Sequence, residues 1–184
     1  MTANTVSTAI YPRLSEAIRL REQGETDRAA QLVMAHLRER PDEPRGLAQL
    51  GLISAQTGAL GEAEHFLRRV IEEEGDLQLR SLRASLLDRM GRHDEAMAIQ
   101  KQLVEEDPRS IPHLLAWGYS LRAAGDVEGA IAAYRRAIAI DDEYGEAWWG
   151  LAGIKRKVLT DTDIAAMQQA LTIAIDERNI APLN

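Results

Sequence analysis

The sequence contains no cysteine, which excludes disulfide bonds and thiolate metal sites. Aromatic residues make up only 4% of the chain, with a single Phe. Long β-branched runs are also scarce, so a β-sheet core is not expected. Ala, Leu, Glu, Arg and Gln dominate instead, and these residues favour helix. The 184 residues fit one domain or one continuous array of repeats.

Further absences narrow the class of function. No run approaches the roughly 18 apolar residues of a membrane span. Residues 1–20 have neither the basic start nor the apolar core of a secretory signal. The formal net charge is −7 and the longest basic tract is Lys155-Arg156-Lys157, so a nucleic-acid partner is not expected. We therefore expect a cytoplasmic protein.

A repeat with a period of about 34 residues runs through most of the chain. Five segments superpose: 10–43, 44–76, 77–110, 111–144 and 145–178. Glycines coincide in the first four segments, at spacings of 34, 33 and 34 residues: Gly24, Gly58, Gly91 and Gly125. Each is followed five residues later by an alanine: Ala29, Ala63, Ala96 and Ala130.

The spacing has a physical explanation. A glycine can adopt positive φ and end a first helix of about 14 residues. The alanine lets a second helix approach closely, and a bulky residue one turn later (Val33, Leu67 or Tyr134) fills the space beside it. Such a hairpin has two apolar faces and cannot bury both alone, so the units are predicted to stack.

The fourth segment carries a family resemblance. "LLAWGYSLRAAGDVEGAIAAYRRAIAIDD" resembles the tetratricopeptide repeat, with these residues at signature positions: Leu114, Trp117, Gly118, Leu121, Ala130, Tyr134 and Ala137. The resemblance covers roughly residues 10–178. It implies an all-α fold, a right-handed α-solenoid of helix-turn-helix repeats, with residues 1–184 as a single array. It also implies a concave groove, lined by the first helices, that binds a protein or peptide.

The fifth segment departs from the pattern. No glycine follows Ala152 at the expected distance, and Ile164 stands where a small residue is due. However, Thr160 to Asp163 has the form of a capping box, with a hydroxyl followed three residues later by a carboxylate. We predict that a second helix begins on schedule after a different turn. Two interpretations stay open: a degenerate repeat that caps the array, or a repeat peculiar to one family.

The second interpretation depends on a further resemblance. "EAWWGLAGIKRKVLTDTDIAAMQQAL" is similar to a segment of bacterial tetratricopeptide-repeat sulfotransferases. The matching residues are Glu146, Ala147, Trp148, Trp149, Leu151, Ala152, Lys155, Asp161, Asp163, Ile164, Ala165, Ala166 and Met167. The resemblance implies an amino-terminal repeat module of a sulfotransferase-like protein. The alternative is a free-standing adaptor for assembly, secretion or regulation.

A sulfotransferase domain would have to follow Asn184. It would bind 3′-phosphoadenosine-5′-phosphosulfate through a glycine-rich loop that leads into a helix. Pro108-Arg109-Ser110 is only superficially similar, because no glycine flanks it and it falls at a repeat junction. We therefore expect no cofactor in this chain. Whether the parent protein is an enzyme stays open.

Metal and catalytic sites are not predicted either. No two of the histidines (His36, His65, His93 and His113) are three or four residues apart, so metal-ligand spacing is lacking. Ser and Thr residues are scattered at expected helix ends, where capping is their usual role. Abundant carboxylates fit a solvated helix face.

The remaining candidate is a binding groove on the first helices. Its proposed residues are Arg45, Gln49, Arg89, Tyr119, Arg122, Trp149 and Arg156. Leu115 is expected to face outward with them. Two aromatic side chains beside arginines suit an extended peptide. The alternative is that Trp149 packs against a following helix, whether or not that helix is part of this chain. We predict that Tyr119→Ala combined with Arg122→Ala weakens partner binding without lowering thermal stability.

One known groove type is not expected. Tetratricopeptide modules that clamp a C-terminal carboxylate place Asn at the ninth position of a repeat. The residues at this position here are Ile18, Leu52, Ser85, Tyr119 and Gly153. Chaperone C-termini are therefore not expected partners, and the oligomeric state stays open.

Overall fold

The structure is a computed structural model that describes residues 11–74, 76–154 and 159–180, without the side chains of 72–74, 170–171 and 173–180. Every regular element in these ranges is a helix, which confirms the predicted all-α class. None of the described helices is long and apolar enough to cross a membrane.

Ten helices follow one another along the described residues. They are α1 (Pro12–Glu22), α2 (Thr26–Glu39), α3 (Pro44–Thr57), α4 (Leu60–Glu74), α5 (Leu77–Arg89), α6 (His93–Glu106), α7 (Ile111–Ala123), α8 (Val127–Ile140), α9 (Gly145–Ala152) and α10 (Asp161–Ile180). Each predicted repeat holds one consecutive pair. The chain forms two compact units, Met1–Ala96 and Met97–Asn184, and the boundary falls within α6.

The predicted glycine turns are confirmed. Glycines of positive φ join the helices of the first four hairpins: Gly24 (82°), Gly58 (82°), Gly91 (78°) and Gly125 (87°). At Gly58 the turn also satisfies the free carbonyls at the end of α3. The Gly58 N–H donates to the Ala55 carbonyl, and the Ala59 N–H donates to the Ser54 carbonyl at 2.9 Å. A residue with a side chain rarely adopts this conformation, which explains the recurrence of glycine.

In the first unit, small residues allow close helix packing. Ala29 and Ala63 are fully buried, as are the bulky Val33 and Leu67 that follow them one turn later. A Cβ atom on Gly51 of α3 would lie 2.8 Å from Leu67 Cδ2 of α4. Such a distance is closer than two carbon atoms can approach. The glycine therefore lets the backbone of α3 approach the Leu67 side chain of α4.

In the second unit, Tyr134 of α8 takes the place of Leu67. Its ring is fully buried and lies against two glycines. A Cβ atom would lie 2.5 Å from Tyr134 Cε1 if added to Gly118 of α7, and 2.7 Å if added to Gly150 of α9. One side chain therefore sets the approach of both α7 and α9 to α8.

The fifth hairpin begins with a helix shorter than predicted. α9 has 8 residues and ends at Ala152, so the expected first helix of about 14 residues is wrong here. Gly150 lies within α9 and Gly153 is its C-cap, with a φ of −70°. Glycine has low helix propensity, roughly 1 kcal/mol less favourable than alanine, which is consistent with an early end. The Lys155 position lies outside the described residues.

The predicted second helix of this hairpin is confirmed, together with its cap. The Asp163 N–H donates to Thr160 Oγ1 at 3.2 Å, and the Thr160 N–H donates to Asp163 Oδ2 at 2.7 Å. Arg135 of α8 donates to both carboxylate oxygens, at 3.1 and 3.0 Å. These bonds join the start of α10 to α8. Ile164, at the position due for a small residue, is 45% exposed, so no close helix approach occurs there.

The contacts of Gly150 lead to a first prediction. Gly150→Ala should lower the free energy of unfolding by about 1–2 kcal/mol, since overpacking outweighs the gain in helix propensity. Gly145→Ala is the matched control in the same helix, because an added Cβ meets nothing within 4 Å. Urea denaturation of both variants measures the difference. Equal stability of the two would contradict the tight contact with Tyr134.

The cap of α10 leads to a second prediction. Hydrogen bonds from Arg135 and from Thr160 hold the pKa of Asp163 well below its ordinary value of 3.8. A carboxyl group of lowered pKa stabilises the folded state above its ordinary pKa, and this contribution is lost as the pH falls. Asp163→Asn should therefore lower the stability of the start of α10 at neutral pH. The expected loss is only about 1 kcal/mol, because Arg135 is partly exposed to solvent.

Hydrogen exchange at the start of α10 measures this cost. The difference between Asp163→Asn and the parent protein should shrink as the pH falls below about 4. Asp161→Asn, at an exposed position two residues earlier, is the control and should change protection by only a few tenths of a kcal/mol. A cost for Asp163→Asn that does not vary with pH would rule out the charged pair as its source.

Candidate functional site

Two adjacent tryptophans on α9 have opposite environments. Trp148 is buried, and its indole N–H donates to the Asp142 carbonyl at 2.7 Å. Successive residues of a helix point about 100° apart, so this anchor leaves Trp149 on the outer side of α9. Trp149 is 77% exposed. Within the described residues no helix covers Trp149, so the alternative requires a following helix that lies outside those residues.

Arg122, near the end of α7, is held by an aromatic ring. Its guanidinium carbon lies 5.5 Å from the centre of the Tyr119 ring, within the range of a cation–π interaction. Tyr119 is half-buried and meets the Tyr134 ring edge to face, with centroids 5.6 Å apart and planes at 65°. The core thus orients Tyr119, and Tyr119 in turn orients Arg122.

Arg122 also approaches α9. A Cβ atom on Gly153 would lie 3.0 Å from Arg122 Nη1, so the guanidinium lies over the glycine. Gly153 follows Trp149 by four residues. The two positions therefore lie on one side of the helical segment, with about 5–6 Å between their Cβ positions. Tyr119, Arg122, Trp149 and Gly153 therefore form one continuous surface, which we term the α7–α9 face.

The buried anchor beneath this face carries no acid–base chemistry at neutral pH. Burial raises the pKa of Tyr134 to about 12, and the nearby charge of Arg122 partly opposes the shift. Its hydroxyl has no hydrogen-bond partner among the described residues. Tyr134 is therefore a neutral packing residue beneath the α7–α9 face.

The candidate residues of the first unit are arranged differently. Arg45 and Gln49 lie one turn apart on α3, and Gln49 Oε1 accepts a hydrogen bond from Arg21 Nε at 3.1 Å. Gln49 therefore links α3 to α1. Arg89 is exposed at the last position of α5. No exposed Phe, Tyr or Trp side chain accompanies them in the described residues of this unit.

Two expectations from the sequence require correction. Leu115 does not face outward: it is 4% exposed and belongs to the apolar core of the second unit. Tyr119 contacts the same core, so the expectation that Tyr119→Ala with Arg122→Ala leaves stability unchanged no longer holds. Arg156 lies outside the described residues. Neither correction was evident from the repeat pattern, which assigns positions but does not indicate the depth of burial.

Histidines and carboxylates form no metal cluster within the described ranges. His36 is 5% exposed and packs edge to face against Tyr11, with centroids 5.1 Å apart. Its Nε2 atom lies 3.5 Å from Glu43 Oε2, and Glu43 also caps the start of α3 through the Gly46 N–H at 2.6 Å. His36 therefore belongs to the packing between α2 and α3.

Family models match most of the chain. The model described as "Tetratricopeptide repeat" matches residues 14–78, and another of the same description matches residues 77–110. A model described as "TPR repeat" matches residues 118–154. The last of these ranges includes all four residues of the α7–α9 face.

Known proteins resemble this chain in sequence or in fold. Human protein O-mannosyl-transferase TMTC1 is 28% identical over 137 residues, which are 72% of this chain and 16% of that protein. MamA from Desulfovibrio magneticus has a TM-score of 0.74 at 17% identity, covering 92% of this chain and 96% of that one. YrrB, described as a TPR protein with an unusual peptide-binding site, has a TM-score of 0.73 at 15% identity, covering 90% and 86%.

These comparisons confirm the predicted α-solenoid class of tandem two-helix repeats. At such low identities the structural likeness shows the fold alone. The chain spans only 16% of the length of the curated relative, so the name of that protein says nothing about the activity of this chain.

The geometry of the face leads to a third prediction. Tyr119→Ala should lower the free energy of unfolding by about 1–2 kcal/mol, because it removes an aromatic contact with Tyr134. Trp149→Ala should change stability by less than about 0.5 kcal/mol, because the side chain is exposed. Thermal and urea unfolding measure both. A larger cost for Trp149→Ala than for Tyr119→Ala would mean that the two assignments are reversed.

Proposed function

Because the chain belongs to the tetratricopeptide repeat family, we propose that it is a non-catalytic scaffold that binds a protein or an extended peptide. The proposed binding surface is the α7–α9 face. Tryptophan and arginine are the residues that most often dominate binding energy in protein interfaces. Here both occur on one surface, and Tyr119 restrains the arginine before any partner arrives.

The observation that carries the proposal is the exposure of Trp149. A side chain of this size is normally covered, and the other exposed large apolar side chains in the described residues, at 37–45%, are much less open. An isolated exposed apolar residue is ordinary, but Trp149 lies one helical turn before Gly153, over which the Arg122 guanidinium is held. The peptide-binding site named for YrrB supports the same class of partner, although that likeness is one of fold alone.

Selection of peptides on the protein tests the proposal. A display library of random peptides would be panned on the purified chain, and the selected peptides synthesised with a fluorescent label. Trp149→Ala should weaken their binding by about tenfold or more, as expected for a tryptophan that dominates an interface. Met34→Ala, at an exposed apolar position on α2, is the control and should leave affinity within about twofold.

The opposite result would overturn the assignment of the face. If Trp149→Ala bound the selected peptides as tightly as Met34→Ala, the binding surface would lie elsewhere. If no peptide were selected, the proposal of a peptide scaffold would fail.

We further propose that this repeat array belongs to a bacterial protein of the sulfotransferase type. Support comes from the similarity of residues 146–167 to that family. In addition, the Thr160–Asp163 cap within this segment forms a defined turn, as a family-specific repeat would require. The cofactor 3′-phosphoadenosine-5′-phosphosulfate would then bind to the other domain, not to this chain. The alternative is a free-standing adaptor.

The genomic reading frame distinguishes the two contexts. A frame that continues past Asn184 into a glycine-rich strand–loop–helix would support the sulfotransferase context. A stop codon directly after Asn184 would favour the adaptor. The proposal that the α7–α9 face binds a peptide is tested separately, by the comparison of Trp149→Ala with Met34→Ala.

A further inference from the structure

The charge of Arg122 is not neutralised by the described protein. Many other arginines pair with a carboxylate: Arg13, Arg19, Arg28, Arg69, Arg83, Arg92 and Arg135. For Arg122 the described residues provide the Tyr119 ring instead. The sequence of α7 contains no Asp or Glu. A stacked guanidinium keeps its in-plane N–H donors free for a planar acceptor.

The surroundings of Arg122 keep those donors accessible. Gly153, which lies next to Nη1 just after the end of α9, has no side chain to cover the guanidinium. Arg122 itself is exposed. A carboxylate pairs with such a group through two parallel hydrogen bonds, which are stronger than bonds between neutral groups. The geometry therefore suits an acidic group of a partner.

The α7–α9 face has a negative charge near one end, from Glu146, and a positive charge at the other end, from Arg122. Glu146 is exposed and lies three residues before Trp149, while Gly153, under Arg122, lies four residues after it. A ligand carboxylate is repelled at the Glu146 end and attracted at the Gly153 end. An extended peptide advances about 3.3 Å per residue. In such a peptide, the residue whose carboxylate binds Arg122 would thus lie within about two residues of the one whose side chain covers Trp149.

We propose that the α7–α9 face binds an acidic peptide segment. A ligand Asp or Glu pairs with Arg122, and an apolar side chain within about two residues of it covers Trp149. This inference rests on the proposed function and adds the chemistry of the partner. The net charge of −7 opposes an acidic partner at long range, so the attraction is local and comes from Arg122.

Peptides selected on the protein, as described above, provide the probe. They should be enriched in Asp or Glu close to an apolar residue. Replacing that acid by Asn or Gln in the synthetic peptide should weaken binding by about tenfold, as should Arg122→Gln in the protein. Arg109→Gln is the matched control. Arg109 is also an exposed arginine, but it lies just before the start of α7, whereas Arg122 lies at the end of that helix. This control should leave affinity within about twofold.

Two further readouts separate a direct charge contact from a structural effect. The peptide with Asn or Gln in place of the acid should bind Arg122→Gln as tightly as it binds the parent protein, because the two changes remove the same interaction. Binding of the acidic peptide should weaken with added salt in the parent protein, and this dependence should be much smaller in Arg122→Gln.

The outcomes distinguish this inference from the proposed function. If the selected peptides are neutral or basic, or if Arg122→Gln binds them unchanged while Trp149→Ala weakens binding, the acidic partner is ruled out and the peptide scaffold stands. If Trp149→Ala has no effect, the assignment of the α7–α9 face fails and this inference fails with it. If no peptide is selected, the proposal of a peptide scaffold fails as well. Enrichment of acidic peptides with equal losses for Arg109→Gln and Arg122→Gln would point to general charge attraction and would also overturn the inference.

Discussion

Contact between the buried Tyr134 ring and two glycines determines the geometry of the second unit. Gly118 of α7 and Gly150 of α9 both approach the ring more closely than any residue with a side chain could. Since a packed interior tolerates little change in volume, the ring fixes both helices against α8. The first unit repeats the contact between the first and second helix, where Gly51 meets Leu67. The same type of contact between first and second helix therefore occurs in two hairpins, the second and the fourth.

The same contact positions the α7–α9 face. Because α7 and α9 are held by one side chain, Arg122 at the end of α7 comes to lie over Gly153, just after the end of α9. Tyr119 extends the core to the surface: one edge meets Tyr134 and its face supports the guanidinium. Trp148 anchors the other side of α9 and leaves Trp149 exposed. The proposed binding groups thus lie on a rigid support, which reduces the ordering cost when a partner binds.

Much of the fold follows from local rules that the sequence displays. Glycine at positive φ, alanine at the helix crossing and the hydroxyl–carboxylate cap before α10 each depend on residues close together in the chain, so they could be predicted. Other features depend on residues far apart. The pairing of Arg135 with Asp163 joins residues 28 positions apart, and the burial of Leu115 depends on neighbouring helices. The early end of α9 and the position of Arg122 over Gly153 likewise require the packed structure.

The indole N–H resonances test the central claim most directly, because the three tryptophans have different environments. In a titration of the ¹⁵N-labelled protein with a selected peptide, the Trp149 indole signal should shift progressively. The Trp148 signal should stay nearly constant, since its N–H is bonded to the Asp142 carbonyl. A Trp149 signal that does not move while backbone signals of α2, α4 or α6 shift would contradict the account and place the binding surface on the second helices of the hairpins.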